Sequence, residues 1–562
     1  MTNSEENRQD EKLRREREAI RRQREDRIRR KKRGRVLKTV LFALIVAAVA
    51  VALLIMSSVT RNGRIRPGSL SAESVLSAIR SLAPGGGDGT AAVTVSSAAE
   101  AVNASASGNP ASPSAGQEST DVTQTSVSGA ADVSNATDTP ATKEEALQSA
   151  QAFAVQYDYD RAIAALESIS GYESDSDLSA AVKKYTDEKA ACVAVDVTTV
   201  PHVFFHSLLN DDRGLRADVV GKDRAWKNDT AMATADEFDH MIEDMYNAGY
   251  VLFSLDDLCV KTKQADGSTA VSKNTNLLLP QGKKALVMSE DDLSYYHSYG
   301  EGTQGYATKM VLDENGEVKC EYTDENGETH VGDYDMVPRL DTFVKKHPDF
   351  SYHGHKATVA LTGYDGVFGY RTNDYYKDIN NPHLDKDQRD WLSSHPDFNW
   401  DQDVAEAKKI AETMKANGWT FASHTYAHWN ASNKTAEQLK ADNERWMTCV
   451  SNVVGKTDKI IFAFGGDIGG AGGYTADNPK YQYFKDQGYV IFCNVDGHAG
   501  WTEFGDTYMR TGRVALDGFT MYQAMTVDGS SHETYARSYD ILGIKDVASF
   551  FNPNRITPIT SE

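Results

Sequence analysis

Cysteine is scarce in this chain of 562 residues, and its five copies lie far apart. They are Cys192, Cys259, Cys320, Cys449 and Cys493. An odd number with no close pair matches neither a disulfide framework nor a zinc site built on cysteine. We expect these thiols to be buried as small hydrophobic side chains. A chain of this length can be stabilised by an ordinary hydrophobic core instead.

Positive charge is also in short supply, except at the N terminus. The whole chain has a formal net charge of −21, yet residues 1–38 carry 16 Lys and Arg against 8 Asp and Glu. This basic tail is therefore about +8 and the remainder about −29, which argues against nucleic acid as a partner of the remainder. The tail alone is compatible with an RNA-binding arm, but an orientation signal that contacts anionic lipid is favoured. No feature indicates a protein partner.

Long apolar runs are absent, with one exception near the N terminus. Residues 40–56 contain no polar side chain, and residues 57–59 extend this run. The length is at the lower limit for a membrane span, and the basic region is longer than that of a cleaved signal peptide. We predict an uncleaved anchor over residues 39–59. The positive-inside rule then places the tail in the cytoplasm and the rest of this single-pass membrane protein outside the cell.

Aromatic residues are almost missing from residues 60–142, which are dominated by Ser, Ala, Thr and Gly. This composition predicts a disordered linker. From residue 143 to 191 apolar residues such as Ala146, Ala150 and Phe153 recur at helical spacing, which predicts two or three short helices. The segment resembles one tetratricopeptide-type unit. A small helical support for the next domain is favoured, because a single repeat lacks neighbours to bury its faces.

Residues 195–550 alternate short apolar strands with amphipathic helices, the pattern of an α/β fold. The predicted strands are 200–205, 250–254, 284–288, 357–362, 420–422, 459–464, 490–493 and 513–516. The predicted helices include 235–248, 335–345, 403–417, 435–454 and 478–487. About eight strands predict a barrel with its active site at the carboxyl ends of the strands.

A repeated turn signal interrupts this pattern. The sequence Asp-Glu-Asn-Gly-Glu occurs at residues 313–317 and again at 324–328, flanked by strand-like segments. It predicts a β-meander inserted at about residues 310–332. The aspartates are alternatively calcium ligands, but their spacing does not match a known calcium-binding loop. Solvated turn residues are favoured.

Two pairs of polar residues each close an apolar stretch. Asp291 and Asp292 close one, and His424 and His428 close another. Two imidazoles four residues apart can lie on the same side of one helical turn. A carboxylate then completes a face of two histidines and one carboxylate that leaves coordination positions open for water. Either pair alone is a weak signal, but open positions favour a catalytic metal over a structural one.

Four fragments, in order, resemble the polysaccharide deacetylases of the NodB-homology type, carbohydrate esterase family four. They are 201–207 (Pro-His-Val-Phe-Phe-His-Ser), 284–292 (Lys-Ala-Leu-Val-Met-Ser-Glu-Asp-Asp), 423–428 (Ser-His-Thr-Tyr-Ala-His) and 461–467 (Ile-Phe-Ala-Phe-Gly-Gly-Asp). The second resembles the family's Thr-Phe-Asp-Asp-Gly motif, and the last its Phe-Ala-Tyr-Pro-Tyr-Gly segment. The resemblance covers about residues 200–518.

The resemblance implies a distorted (β/α) barrel of seven or eight strands that binds one divalent metal, usually zinc, with cobalt, nickel or manganese also suited to the ligands. Asp292, His424 and His428 would hold the metal. Asp291 would be the general base, and His206 the general acid that protonates the departing amine. The implied reaction removes N-acetyl groups from an extracellular or cell-wall polysaccharide that contains N-acetylglucosamine, with release of acetate.

The sequence departs from the family pattern at three positions. Glu290 stands where Phe is usual, Leu293 where Gly is usual, and Ala463 where many members carry an arginine that orients the base. Loss of that arginine would alter the pKa of the base or require a substitute. Arg513 and Arg371 are the candidate substitutes.

Asp496 and Trp501 are predicted to line a sugar pocket by hydrogen bonding and stacking, with Arg513 as a further candidate for substrate binding. A buried core role is equally compatible with Trp501. Two other functions remain open on the same scaffold. One is a degenerate domain that binds glycan without turnover, and the other is an esterase that removes O-acetyl groups.

Overall fold

The computed structural model describes residue 140 and residues 142–470, 472–525 and 530–559. The predicted basic tail, the membrane span and nearly all of the predicted linker lie outside these ranges. No helix within the described ranges is both long enough and apolar enough to cross a bilayer. The anchor at residues 39–59 therefore stays a prediction.

The described ranges contain one large sheet, parallel except for β15, and smaller antiparallel sheets. The strands are β1 Val193–Ala194, β2 His202–His206, β3 Tyr250–Phe253, β4 Cys259–Lys263, β5 Thr269–Lys273, β6 Leu278–Leu279, β7 Lys284–Asp291, β8 Ala307–Leu312, β9 Val318–Thr323, β10 Thr329–Gly332, β11 Thr358–Leu361, β12 Thr420–Ser423, β13 Lys459–Ile461, β14 Ile491–Val495, β15 Thr502–Gly505 and β16 Tyr508–Ala515.

Helices precede, separate and follow these strands. The α-helices of the described ranges are α1 Lys143–Val155, α2 Tyr159–Glu167, α3 Ser176–Ala190, α4 Ala217–Val220, α5 Lys222–Ala231, α6 Ala235–Asn247, α7 Met336–Lys346, α8 Lys386–Ser394, α9 Trp400–Ala416, α10 Ala436–Cys449, α11 Ser451–Val454, α12 Pro479–Asp486, α13 Gly518–Met525, α14 Ser530–Leu542 and α15 Val547–Phe550.

Seven parallel strands close into a barrel in the order β7, β11, β12, β13, β14, β16, β2 and back to β7. An eighth parallel strand, β3, pairs with the first half of β7, whereas β11 pairs with its last three residues. The long strand β7 thus pairs with both β3 and β11 along the same edge, and this distorts the barrel. The predicted (β/α) barrel is confirmed. Seven strands close it, and β3 brings the number of parallel strands to eight.

The carboxyl ends of the barrel strands meet at one rim, because all seven strands run in the same direction. His206 ends β2, Asp291 ends β7, and β12 is followed directly by His424. In register, His206 pairs with Asp291 across the two neighbouring strands. The fold therefore brings the polar residues that were singled out in the sequence to the same end of the barrel.

Helices α1 to α3 pack at the other end of the barrel. The Tyr157 ring stacks on Tyr352 with centroids 6.5 Å apart, and Tyr352 stacks on Phe253 at 4.0 Å. The Tyr157 hydroxyl donates to the carbonyl of Asp349 at 2.8 Å. Asp349 and Tyr352 belong to the segment that leads into β11, so these helices support the barrel where its strands begin.

Residues 307–332 form a three-stranded antiparallel sheet in the order β8, β9, β10. The backbone amides of Asn326 and Glu328 each donate to Oδ1 of Asp324 at 2.9 Å. This carboxylate therefore shapes the tight turn between β9 and β10.

All five cysteines are free, and four of them are buried.

Candidate active site

Asp292, His424 and His428 converge at the rim of the barrel. Their ligand atoms lie within 4.8 Å of one another. The His428 Nε2 atom is 3.3 Å from Oδ2 of Asp292, and the His424 Nε2 atom is 3.9 Å from Oδ1. Two ligands of one tetrahedral zinc ion lie about 3.4 Å apart at ordinary bond lengths. The spacing and the donor set therefore fit the divalent metal that the sequence predicts.

The imidazole of His424 is fixed by a backbone bond on its far side. Its Nδ1 atom lies 2.7 Å from the carbonyl oxygen of Ile461 and donates to it, which leaves Nε2 directed at Asp292. Burial lowers the pKa of His424. A ring held through Nδ1 by a carbonyl is the usual arrangement of a metal-ligating histidine.

The two histidines lie in a loop, not on one helical turn, so that part of the sequence prediction is wrong. Thr425 and His428 adopt left-handed backbone conformations, with φ of 62° and 50°. The backbone amides of Tyr426 and Ala427 donate to the buried carboxylate of Asp442 at 2.7 and 3.0 Å. This anion, supplied by α10, fixes the curved loop that brings the second imidazole back toward the first.

Both oxygens of the Asp291 carboxylate are bound by a buried arginine. Nη1 and Nη2 of Arg513 donate to the two oxygens of its carboxylate at 2.8 and 2.9 Å. Burial alone raises the pKa of Asp291, but the charge of Arg513 and then that of His424 outweigh it, and the pKa lies far below its ordinary value. Asp291 is therefore a carboxylate at neutral pH.

Arg513, one of the two candidate substitutes for the arginine missing at Ala463, is the residue that binds Asp291. It lies on β16, separated from β7 by β2, and its side chain is fully buried. Its guanidinium faces the barrel interior, so the structure does not place it in an open sugar pocket. Arg371, the other candidate, donates to the carbonyl oxygens of Tyr295 and Asp365 instead.

Adjacent carboxylates face different partners because the backbone turns at the end of β7. Asp292 has a φ of 64°, in the left-handed region, and its amide donates to the carbonyl of Ala360 at 3.1 Å. Burial raises the pKa of Asp292, but His428 and His424 outweigh it and the net shift is downward. Glu290 is fully buried and precedes Asp291 on the strand, where alternation directs it to the opposite face.

Tyr296 is a site residue that the sequence did not indicate. Its hydroxyl donates to Oδ1 of Asp292 at 2.6 Å and lies 2.6 Å from the hydroxyl of Thr362. Its ring stacks on Tyr364 with centroids 4.9 Å apart. A tyrosine five residues beyond a strand carries no motif, and only the folded loop shows its bond to the Asp292 carboxylate.

His206 lies beside Asp291 on the neighbouring strand and is half-buried. Its Nδ1 atom is 3.0 Å from the carbonyl oxygen of Ala231 and donates to it. This bond leaves Nε2 as the atom with which the ring exchanges a proton.

A cavity of about 610 Å³ is lined by residues that follow β13, by residues at and beyond the end of β14, and by Arg510 near the start of β16. Asp496 and Trp501 both line it, and the indole N–H of Trp501 donates to the Asp496 carboxylate. Trp501 is half-buried, so it is neither a fully buried core residue nor a fully exposed stacking surface. Gly465 and Gly466 form the wall nearest the metal-ligating loop, since Phe464 before them contacts His428.

We expect Tyr296→Phe to weaken metal binding by about 10- to 100-fold, the usual effect of removing a partner that orients a ligand. Titration of the metal-free protein with Zn²⁺ in competition with a chelator measures this. Tyr299→Phe is the matched control, because this neighbouring ring packs on Tyr296 at 5.3 Å without any described bond to the carboxylate. Equal zinc affinity in the Tyr296 variant and wild type would contradict the assigned role.

The chain was compared with known protein families and solved structures. Residues 395–477 match the family model described as polysaccharide deacetylase. The solved structure of Streptococcus pyogenes deacetylase PplD in complex with acetate is similar at 12% identity and a TM-score of 0.27, over 57% of this chain and 93% of that chain. No curated protein matches the chain. The family match spans α9, β12, both histidines of the cluster and β13, so this part of the chain is similar to the polysaccharide deacetylase family.

Proposed function

We propose that this chain is a metal-dependent hydrolase that removes N-acetyl groups from an extracellular or cell-wall glycan containing N-acetylglucosamine, with release of acetate. The observation that carries the proposal is the division of roles between two adjacent carboxylates. Asp292 faces the two histidines, whereas Asp291 is bound to Arg513 and lies 3.8 Å from Nε2 of His424. A deacetylase needs both a metal ligand and a free base at one point, and this pair supplies them.

Asp292, His424 and His428 would hold the metal, with zinc preferred and cobalt, nickel or manganese as alternatives. When bound, such an ion polarises the amide oxygen and acidifies a water molecule. The other residues of the site fix the positions of the metal ligands. Tyr296 and the carbonyl of Ile461 orient two of the ligands, and the left-handed backbone of His428 directs the third.

Asp291 accepts the proton of the attacking water. Its lowered pKa keeps it ionised across the neutral range, and the bidentate bond to Arg513 fixes the direction of its free lone pairs. The water oxygen forms a bond to the acetyl carbon, and the C–N bond of the acetamide then breaks. Acetate carries away the water oxygen, and the glycan keeps the nitrogen.

The departing nitrogen must receive a proton, because an amide anion is too poor a leaving group. His206 is the candidate donor, since it lies across from Asp291 and its Nδ1 is already engaged with a backbone carbonyl. Its Nε2–H would donate to the nitrogen as the C–N bond breaks. Base and acid thus stand on neighbouring strands, on either side of the bond to be cleaved.

The chain is proposed to act at the cell membrane, with the domain outside the cell and the substrate polymer within reach of a long flexible linker. The basic tail followed by the apolar residues 40–56 supports this location. Protease added to intact cells should remove the domain and leave the tail protected. A domain that resists protease until the cells are opened would contradict this topology.

We expect Asp291→Asn to lower kcat for acetate release by about 10²- to 10⁴-fold while metal affinity is retained. His424→Ala should lose both the metal and the activity. Release is measured from N-acetylglucosamine oligomers and from peptidoglycan with the purified, metal-loaded chain. Asp187→Asn, on the exposed surface of α3, is the control for an Asp-to-Asn change away from the site. Tight glycan binding without any release by wild type would instead favour a binding module.

His206→Ala separates an amidase from the alternative of an O-acetyl esterase. An alkoxide is a far better leaving group than an amide anion, so an ester depends much less on protonation. We expect the variant to lose about 10²-fold or more on an N-acetylated oligomer, and to keep most of the wild-type rate on an O-acetylated one. Wild type that releases acetate only from the O-acetylated oligomer would make the chain an esterase.

A further inference from the structure

The side chain of Phe464 is largely exposed, so its burial contributes little to the stability of the fold. It is 70% exposed, the largest exposure among the large hydrophobic side chains of the described ranges. Its ring lies 4.5 Å from the ring of His428, at an angle of 55°. A single exposed apolar residue is ordinary on a protein surface. An exposed aromatic ring in contact with a metal-ligating histidine is not explained by core packing.

The backbone that presents this ring is strained and held in place. Phe464 has φ of 57° and ψ of 16°, a left-handed conformation that is rare for a bulky residue. The amide of Gly465 donates to the carbonyl of Phe462 at 3.0 Å, and the Phe462 amide donates to Cys493 on β14 at 2.9 Å. Backbone strain of this kind persists where the surroundings impose it, and it is concentrated at ligand-binding sites.

The residues after Phe464 leave no room for the loop to rearrange. A Cβ on Gly465 would lie 2.6 Å from the side chain of Val495, and a Cβ on Gly466 would lie 2.0 Å from the side chain of Asn430. Both glycines therefore pack directly against their neighbours. The exposed Phe464 directly precedes these two glycines, which line the same cavity as Asp496 and Trp501.

We propose that Phe464 is the platform on which a pyranose ring of the glycan lies, under the sugar unit next to the one whose acetamide is cleaved. The proposal rests on the deacetylase function proposed above and adds how the polymer is recognised. One face of a pyranose ring presents mainly C–H groups, which pack on an aromatic ring as other apolar groups do. The platform removes this face from water beside the reacting centre.

The cavity beyond Phe464 supplies polar groups for the hydroxyls of the same sugar. Oδ1 of Asn494 is buried there without a protein partner, and Asn494 lines the cavity together with Asp496. An apolar surface next to a few convergent polar groups is the usual composition of a small-molecule site. Because polar groups lie next to the apolar ring, we expect the site to bind a sugar ring and not an extended apolar chain.

The test replaces the ring without disturbing the fold, since an exposed side chain contributes little to stability. We expect Phe464→Ala to raise KM for an N-acetylglucosamine pentamer by about tenfold or more, with kcat within about threefold of wild type. Phe464→Trp should keep KM close to wild type. Phe464→Leu, apolar but not flat, should behave like the alanine variant. Zinc affinity and thermal midpoint should be unchanged in all three.

Two results would overturn the platform. One is an unchanged KM in Phe464→Ala, and the other is a fall in zinc affinity that matches the loss of activity, which would mean that the ring only packs on His428. Calorimetric titration of the metal-loaded protein with the pentamer measures binding without turnover. It therefore tests the Phe464 platform separately from the deacetylase function. Wild type that binds the pentamer but releases no acetate contradicts the deacetylase function, whereas Phe464→Ala that binds it as tightly as wild type contradicts the platform.

Discussion

The site depends on one ion pair buried inside the barrel, that of Asp291 with Arg513. Removing a carboxylate from water raises its pKa and is costly unless a well-placed partner compensates. The guanidinium meets both oxygens of Asp291 and joins β7 to β16 across the intervening β2. The charge of the base, its orientation and the spacing of three barrel strands are therefore set together. Without the arginine, the buried carboxylate would lose its compensation and its fixed direction.

The second constraint is the turn of the backbone at the end of β7. Side chains of a strand alternate between two faces, so two successive aspartates would normally point apart into different environments. The left-handed conformation of Asp292 instead keeps both carboxylates at the rim, one toward the arginine and the other toward the imidazoles. Two chemically identical groups thus acquire different roles from their surroundings alone, a recurring device of hydrolytic sites.

Much of the barrel could be predicted from the sequence, because apolar strands and amphipathic helices differ in period. Residues 284–288 were predicted as a strand, and the structure extends it to Asp291, since polar residues at its end are buried by the site. The acidic pair and the two histidines could be placed together because each follows a parallel strand. Tyr296 could not be found, and the pairing of Arg513 with Asp291 depends on a register between strands 222 residues apart in sequence. The curved loop of the histidines depends on Asp442, on a helix that follows it.

The helices that precede the barrel lie on the side away from the candidate site. Residues 143–190 pack where the barrel strands begin, through the stacked rings of Tyr157, Tyr352 and Phe253, and every residue assigned to the chemistry lies where the strands end. The described chain therefore enters the barrel domain at the end remote from the rim. Helices α1 to α3 leave the rim uncovered, and under the function proposed above a glycan would cross it without contact with these helices.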